Sequence, residues 1–402
     1  VRLVGSEMCI RDSLYNDKLF SNMSVIYSDY YYGLTLDFVG FKWDSGIKNY
    51  NFKYDFKHYI SDKLKLSYGA NAIYYDFNPG EITPTGTDSS INADKLEQKH
   101  AFEPAVYIDA EQQLTDKLTL SYGLRYSMFY RLGSQNMNIY ANNQAVVFDD
   151  ELKIYEKATP IGTRHYASGD VIARFNNPEP RAALSYQLND DSSVKASYNR
   201  MAQYLHLISN TASATPLDVW APSDSFLKPQ LLDQYAVGYF RNFKNDAYSV
   251  EAEAYYKNIK NRLDYIDGAD LIANKAIEQV LLAGKSRAYG LELLVRKNEG
   301  KLTGFVSYTL SRSEQQTPGR TANELGINDG QWYKTGYDKL HNLSVTSSYE
   351  LNKKWQFGAI FALQSGRPVT YPNGQYHYGD ITIPSYGLRN ENRLPAYHHL
   401  DV

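Results

Sequence analysis

The sequence predicts an all-β chain, a transmembrane antiparallel up-and-down β-barrel, and three observations carry that expectation. Long stretches alternate apolar and polar residues with period two. Short polar turns alternate strictly with long loops. Tyrosine is used far above ordinary frequency, with 37 in 402 residues. The clearest stretch is Leu118 to Tyr130, where every even position is Leu, Tyr or Met. The odd positions are Thr119, Ser121, Gly123, Arg125, Ser127 and Phe129. Only a β-strand puts such a set on one face. Nearly the same words open this stretch (Asp116-Lys117-Leu118-Thr119-Leu120-Ser121-Tyr122-Gly123) and an earlier one (Asp62-Lys63-Leu64-Lys65-Leu66-Ser67-Tyr68-Gly69).

Composition narrows the classes. A net charge of −3 implies no bulk attraction to nucleic acid. Mean hydropathy is −0.51. No apolar run approaches the ~18 residues of a helical span, whereas a membrane strand needs only ~9–11 residues, half of them apolar. The single Cys9 allows no internal disulfide and no cysteine-based metal site.

Residues 1–13 read as a non-native, adaptor-derived segment and are set aside, leaving 14–402 as the folding unit. No signal peptide is visible, the chain does not start with Met, and it stops inside a strand pattern. The expectation is therefore a fragment of a longer protein.

In order, strands are expected at 18–28 and 44–60, with Tyr30-Tyr31-Tyr32 and Trp43 in the connection. Residues 63–78 and 99–113 follow, separated by a Pro/Gly/Thr/Ser-rich loop. After the 118–130 strand comes a loop of some forty residues, about 133–178, without sustained periodicity. Loops beyond ~12–15 residues are uncommon in compact domains unless functional. Strands at 180–188 and 193–206 lead to a loop, 207–229, holding Pro216, Trp220, Pro222 and Pro229. Strands at 231–243, 247–263, 286–298, 301–313, 340–351 and 355–366 complete the pattern, and a partial strand begins near Leu394. That makes about fourteen strands, all turns at one end and all loops at the other, as in outer-membrane barrels. Tyrosines toward strand ends suit aromatic girdles at the lipid interfaces. Glu251, Glu253, Glu292 and Arg296, on the polar faces, are expected to line a watery lumen. A soluble β-rich fold with its apolar face on a dry core stays open, because alternation alone does not separate the two.

Several phrases from about 178 to the end resemble the barrel of TonB-dependent outer-membrane receptors of Gram-negative bacteria. Lys228-Pro229-Gln230 leads into Gln234-Tyr235-Ala236-Val237-Gly238-Tyr239, which is similar to a mid-barrel strand. Gly284-Lys285-Ser286-Arg287-Ala288-Tyr289-Gly290-Leu291-Glu292 resembles the recurrent strand with a Gly-x-Glu step. Gln331-Trp332-Tyr333 followed by Tyr337-Asp338-Lys339-Leu340-His341-Asn342-Leu343 resembles a late loop-to-strand junction. Ser365-Gly366-Arg367-Pro368 and Arg393-Leu394-Pro395-Ala396-Tyr397 are similar to two later segments. The resemblance implies a 22-stranded barrel around an N-terminal plug, embedded in outer-membrane lipid. It implies binding of a scarce nutrient such as a ferric siderophore, cobalamin or an oligosaccharide. Energy would arrive from the TonB–ExbB–ExbD complex through the plug, and a surface lipoprotein could cover the mouth. Neither plug nor TonB box is found in this sequence, so fourteen strands fit the middle and later part of such a barrel.

No catalytic signature appears: no nucleophile elbow, no zinc-protease His-Glu pair and no phosphate loop. The chain is therefore expected to be no enzyme, to need no cofactor and to hold no metal. Among its eight His, His398 and His399 are adjacent on a strand and point to opposite faces. Ligand contacts are expected in the loops, where aromatic and polar groups converge over a concave mouth. The candidates are Tyr204, His206 and Trp220 around 207–229, and Arg164, His165 and Tyr166 in the longest loop. Tyr371, Tyr376, His377 and Tyr378 form a further candidate surface. Alternative functions are a passive porin and a soluble glycan-binding protein; Glu251 and Glu253 lie on one face but nothing else marks a glycosidase.

Overall fold

The computed structural model describes residues 2–37, 40–86, 91–209, 218–271 and 273–402, so Pro216 lies outside the described residues. Fifteen long strands follow the chain: β1 Arg2–Asn16, β2 Leu19–Leu36, β3 Phe41–Ser61, β4 Leu64–Pro84, β5 Lys99–Thr115, β6 Leu118–Leu132, β7 Val171–Asn189, β8 Ser192–Gln203, β9 Gln230–Phe243, β10 Tyr248–Tyr265, β11 Leu281–Lys297, β12 Leu302–Gln316, β13 His341–Asn352, β14 Trp355–Gln364 and β15 Tyr397–Asp401. Each pairs antiparallel with the next, giving an up-and-down sheet that forms a partial barrel. Among the described residues β1 and β15 do not pair with each other. Among the described residues no helix is long and apolar enough to cross a membrane.

Turn chemistry explains the asymmetry of the two ends. At five turns a side-chain oxygen accepts the backbone N–H two residues on: Asn16 from Lys18 at 2.9 Å, Ser61 from Lys63 at 3.3 Å, Thr115 from Lys117 at 3.3 Å, Asn189 from Asp191 at 3.1 Å and Asn352 from Lys354 at 2.9 Å. These local bonds stand in for a backbone turn and stop the ladder abruptly. The first of them closes the β1–β2 hairpin, so a strand covers the stretch set aside in the sequence. The long loops gather at the other end.

The apolar faces are exposed. Val250, Val295, Val306, Val345, Phe361 and Leu400 stand directly opposite one another across six strands. Val295 is 46 % and Val306 43 % exposed. Toward the loop end lie two aromatic rows in register. One is Tyr27–Tyr50–Tyr74–Phe102–Tyr130. The other is Tyr198–Tyr235–Tyr256–Tyr289. From Tyr256 to Tyr248 at the turn end is about 27 Å of strand, which spans most of a ~25 Å apolar band after tilt. This is the outward surface of a membrane barrel, with its girdle.

The opposite face is polar and cross-linked. Arg125 donates to Asn71 Oδ1 at 3.3 Å, lies 3.9 Å from Glu179 and covers the Tyr107 ring at 5.7 Å. Glu251, Glu253, Glu292 and Arg296 all occupy this face, and Glu253 pairs directly with Glu292.

Three expectations shift. Tyr30-Tyr31-Tyr32 and Trp43 belong to strands, not to a connection, which is only 37–40. Tyr32 and Trp43 are buried on one face and the Trp43 ring fills the place a Cβ on Gly80 would take, while Tyr31 points to the other face and donates to Asp44. The forty-residue loop ends earlier, at Val171, and carries two small hairpins, 135–139 with 162–166 and 146–149 with 154–157. The last strand starts at Tyr397 rather than Leu394.

Candidate functional site

The loops form a core of their own at the open end. Val146, Ile208, Ala221, Leu227, Val280 and Ile327 come from four loops and pack together with Tyr333. A second cluster joins loop to wall: Tyr204, the first residue past β8, packs with Tyr75, Phe77, Ala101 and Phe129. Burying apolar side chains on the polar side of the sheet is what pulls these loops inward.

Tyr204 is 3 % exposed and lies parallel to Phe129, ring centroids 4.8 Å apart. Its hydroxyl shares a hydrogen bond with Ser127 at 2.7 Å and accepts one from Asn177 at 2.8 Å. Burial pushes its phenol up. His206 is 1 % exposed, with Nε2 2.9 Å from Ser223 Oγ and Nδ1 3.2 Å from Gln230 Nε2. Burial, and then the charge of Arg262, lower its imidazole to about 4. Trp220 pairs with Leu207 in a short hairpin and rests against the second cluster. The structure therefore brings these three together, but Tyr204 and His206 sit inside the loop packing rather than at its surface.

Arg164, His165 and Tyr166 lie on the hairpin 162–166, paired with 135–139. The Arg164 guanidinium covers the Tyr166 ring at 4.8 Å, and His165 Nδ1 is 2.9 Å from Asn136 Oδ1. Arg164 and His165 are exposed, and His165 lines an open cavity of about 430 Å³ with Glu97, Gln98 and His100. Tyr376, His377 and Tyr378 lie on another exposed hairpin, Pro372–Tyr378 with Ile381–Tyr386, and Tyr371 immediately precedes it. Among the described residues no three His, Cys, Asp or Glu side chains gather as a metal site.

Sequence reading missed a cavity of about 470 Å³ where the ends of β10 and β12 meet the last two loops. Asp264 on its wall is 5 % exposed and saturated: it accepts from Arg389 at 2.6 Å, from Thr317 at 3.3 Å and from the Tyr333 hydroxyl. Arg389 also pairs with Asp267 and stacks on Tyr265 at 4.4 Å. Nearby, Asp338 pairs with Arg393 and accepts the Ser313 N–H at 2.6 Å. The signal for Asp338 and Arg393 was present, since both sit in the family-like phrases. Asp264 and Arg389 offered none, because their partners are more than a hundred residues apart in sequence.

No curated protein matches the sequence. Solved structures match its fold. The ferric-catecholate import receptor Fiu from E. coli K12 shares 14 % identity over 98 % of this chain and 56 % of its own, with a TM-score of 0.58. FpvA of P. aeruginosa bound to heterologous pyoverdines gives 13 %, 98 %, 49 % and 0.59. The FrpB iron transporter from Neisseria meningitidis gives 15 %, 90 %, 50 % and 0.57. The chain thus spans about half the length of these structures. The family model described as TonB dependent receptor-like, beta-barrel matches residues 10–402. With its exposed apolar rows, polar wall and one-sided loops, the chain belongs to the TonB-dependent receptor-like β-barrel family.

Proposed function

We propose that this barrel is part of a receptor in the outer membrane of a Gram-negative bacterium that takes up a scarce nutrient. The observation that carries the reading is the family match over residues 10–402, on a sheet whose outward face is apolar. In this reading membrane lipid covers the Val and Tyr rows. The TonB–ExbB–ExbD complex supplies energy through a plug domain, and the loops with the upper wall bind the ligand. The family is one of transport receptors, and catalysis is no part of the proposal. A ferric siderophore is the favoured nutrient, because Fiu and FpvA are described with ferric-catecholate import and pyoverdines. Cobalamin and oligosaccharides are the alternatives. The exposed Arg164 and His165, with the half-buried Tyr166, are the candidates for first contact, and a surface lipoprotein over the mouth is a further partner.

The test is uptake of iron-labelled catecholate or pyoverdine by cells expressing the full-length gene product that contains this barrel. Accumulation that disappears when TonB is deleted supports the reading. Accumulation independent of TonB, or passive conductance of small solutes in planar bilayers, would make it a porin.

A further inference from the structure

The sequence Lys260-Asn261-Arg262 looks like ordinary strand, but the ladder slips there. Lys260 pairs with Lys285, Arg262 pairs with Gly284, and Asn261 between them has no partner. Asn261 sits at φ 57°, a left-handed conformation that asparagine tolerates better than most residues. Its side chain fixes the bulge by donating to the Pro229 carbonyl at 2.8 Å. One extra residue exchanges the faces of a strand. Without it, Arg262 would continue the outward set of Tyr256 and Lys260; with it, Arg262 points inward beside Asp264.

Inside, Arg262 is under-satisfied. Among the described residues its one hydrogen bond is from Nη1 to Gln230 Oε1 at 3.4 Å, and its Nε is buried without a partner. Among the described residues no carboxylate lies within ion-pair distance of it, because its neighbour Asp264 is taken by Arg389, Tyr333 and Thr317. A buried guanidinium N–H left unpaired is costly, and an oxyanion is the group that satisfies it best. The cavity in front of it, about 470 Å³, is also lined by the paired Asp264 and Arg389 and by polar groups such as Gln315, Thr335, Thr370 and Asn390. That volume suits a small ligand or one arm of a larger one.

We infer that this cavity is a subsite for the carboxylate of a small anionic ligand, and that Arg262, turned inward by the Asn261 bulge, is the residue that grips it. A carboxylate is favoured over phosphate. One guanidinium edge presents two parallel N–H groups that match a planar carboxylate, and among the described residues the other cation of the wall, Arg389, is already paired with Asp264 and Asp267. The inference rests on the reading of these loops as the ligand-binding mouth of an uptake barrel, and it deepens that reading.

The test uses radiolabelled citrate in equilibrium dialysis against the protein in detergent micelles, with trimethyl citrate and inorganic phosphate as competitors. Saturable binding is expected, with phosphate and the neutral ester competing at least about tenfold more weakly. R262Q weakens binding about tenfold or more, and R262K, which keeps the charge but loses the fork, weakens it less. K117Q, at the far turn, binds as wild type. Heat-modifiable migration shows whether each variant is folded; should R262Q not fold, R262K decides. Wild-type affinity in R262Q or in R262K, or no saturable binding up to about 10 mM citrate, overturns the inference. Dialysis needs no energised membrane, so it can fail while TonB-dependent uptake stands, and the reverse.

Discussion

Asp338 and Arg393, 55 residues apart, form an ion pair beneath the last two loops. Asp338 is 1 % exposed, and its remaining cationic neighbour is Arg312 at 3.6 Å. Removing one partner of a buried pair strands the other charge, which typically costs ~3–5 kcal/mol. Arg393→Met is expected to lower the temperature at which the folded electrophoretic band converts to the unfolded one, and adding Asp338→Asn should recover part of the loss. An unchanged transition in the single variant would contradict the role given to the pair.

Phe129 and Tyr204 anchor the 204–229 loop to the wall. Phe129→Ala removes the ring on which Tyr204 lies and leaves a cavity in the second cluster, at a cost of ~3–5 kcal/mol. The effect should be local. Hydrogen exchange is expected to quicken in residues 204–209 and 218–223 while the β10–β11 ladder keeps its protection. Uniform loss of protection would show that the loop is not a separate unit.

Much of this architecture was legible because lipid imposes period-two alternation on every strand. Leu118 to Tyr130 displayed it, and the register Val250–Val295–Val306 follows directly from it. The fold was hidden where that rule lapses. Trp43 and Tyr32 are apolar yet face inward under the loops, so they read as a connection. Asn261 adds one residue and exchanges faces, which no alternation pattern reports. Loop packing is set by contacts between distant segments, such as Arg389 with Asp264, so alternation could not report that the ligand-contact candidates Tyr204 and His206 are interior to that packing.

His206 makes closure of the 204–229 loop dependent on pH. In the closed loop its imidazole titrates at about 4, while in an opened loop it returns to its ordinary 6.5. Above 6.5 both forms are neutral and closure is unaffected. As pH falls from 6.5 toward 4 only the open form takes up a proton, so closure weakens by up to about 1.4 kcal/mol per pH unit, roughly 3 kcal/mol in all. Limited proteolysis within 204–229 should therefore rise between pH 7.5 and pH 5 (two conditions either side of 6.5). His206→Gln should flatten that rise. A pH-independent cleavage rate in the native protein would refute it.

Arg262 also bears on that titration, since its charge is the second cause of the His206 shift. R262Q raises the closed-loop titration of His206 toward its ordinary value, so acid weakens closure less, and the pH at which the loop opens is expected to move downward, read by the same proteolysis. No movement would mean that burial alone holds His206 neutral.

The central claim is that the Leu, Val and Tyr rows face acyl chains and the opposite rows face a wet interior. A nitroxide scan along residues 289–296 in lipid bilayers tests it most directly, in a Cys9→Ser background, since Cys9 is the one cysteine of the chain. Labels at Tyr289, Leu291, Leu293 and Val295 should be accessible to dissolved oxygen and shielded from a water-soluble nickel chelate. Labels at Gly290, Glu292, Leu294 and Arg296 should show the reverse. Oxygen accessibility without that two-residue alternation, or low at Leu293 and Val295, would contradict the account.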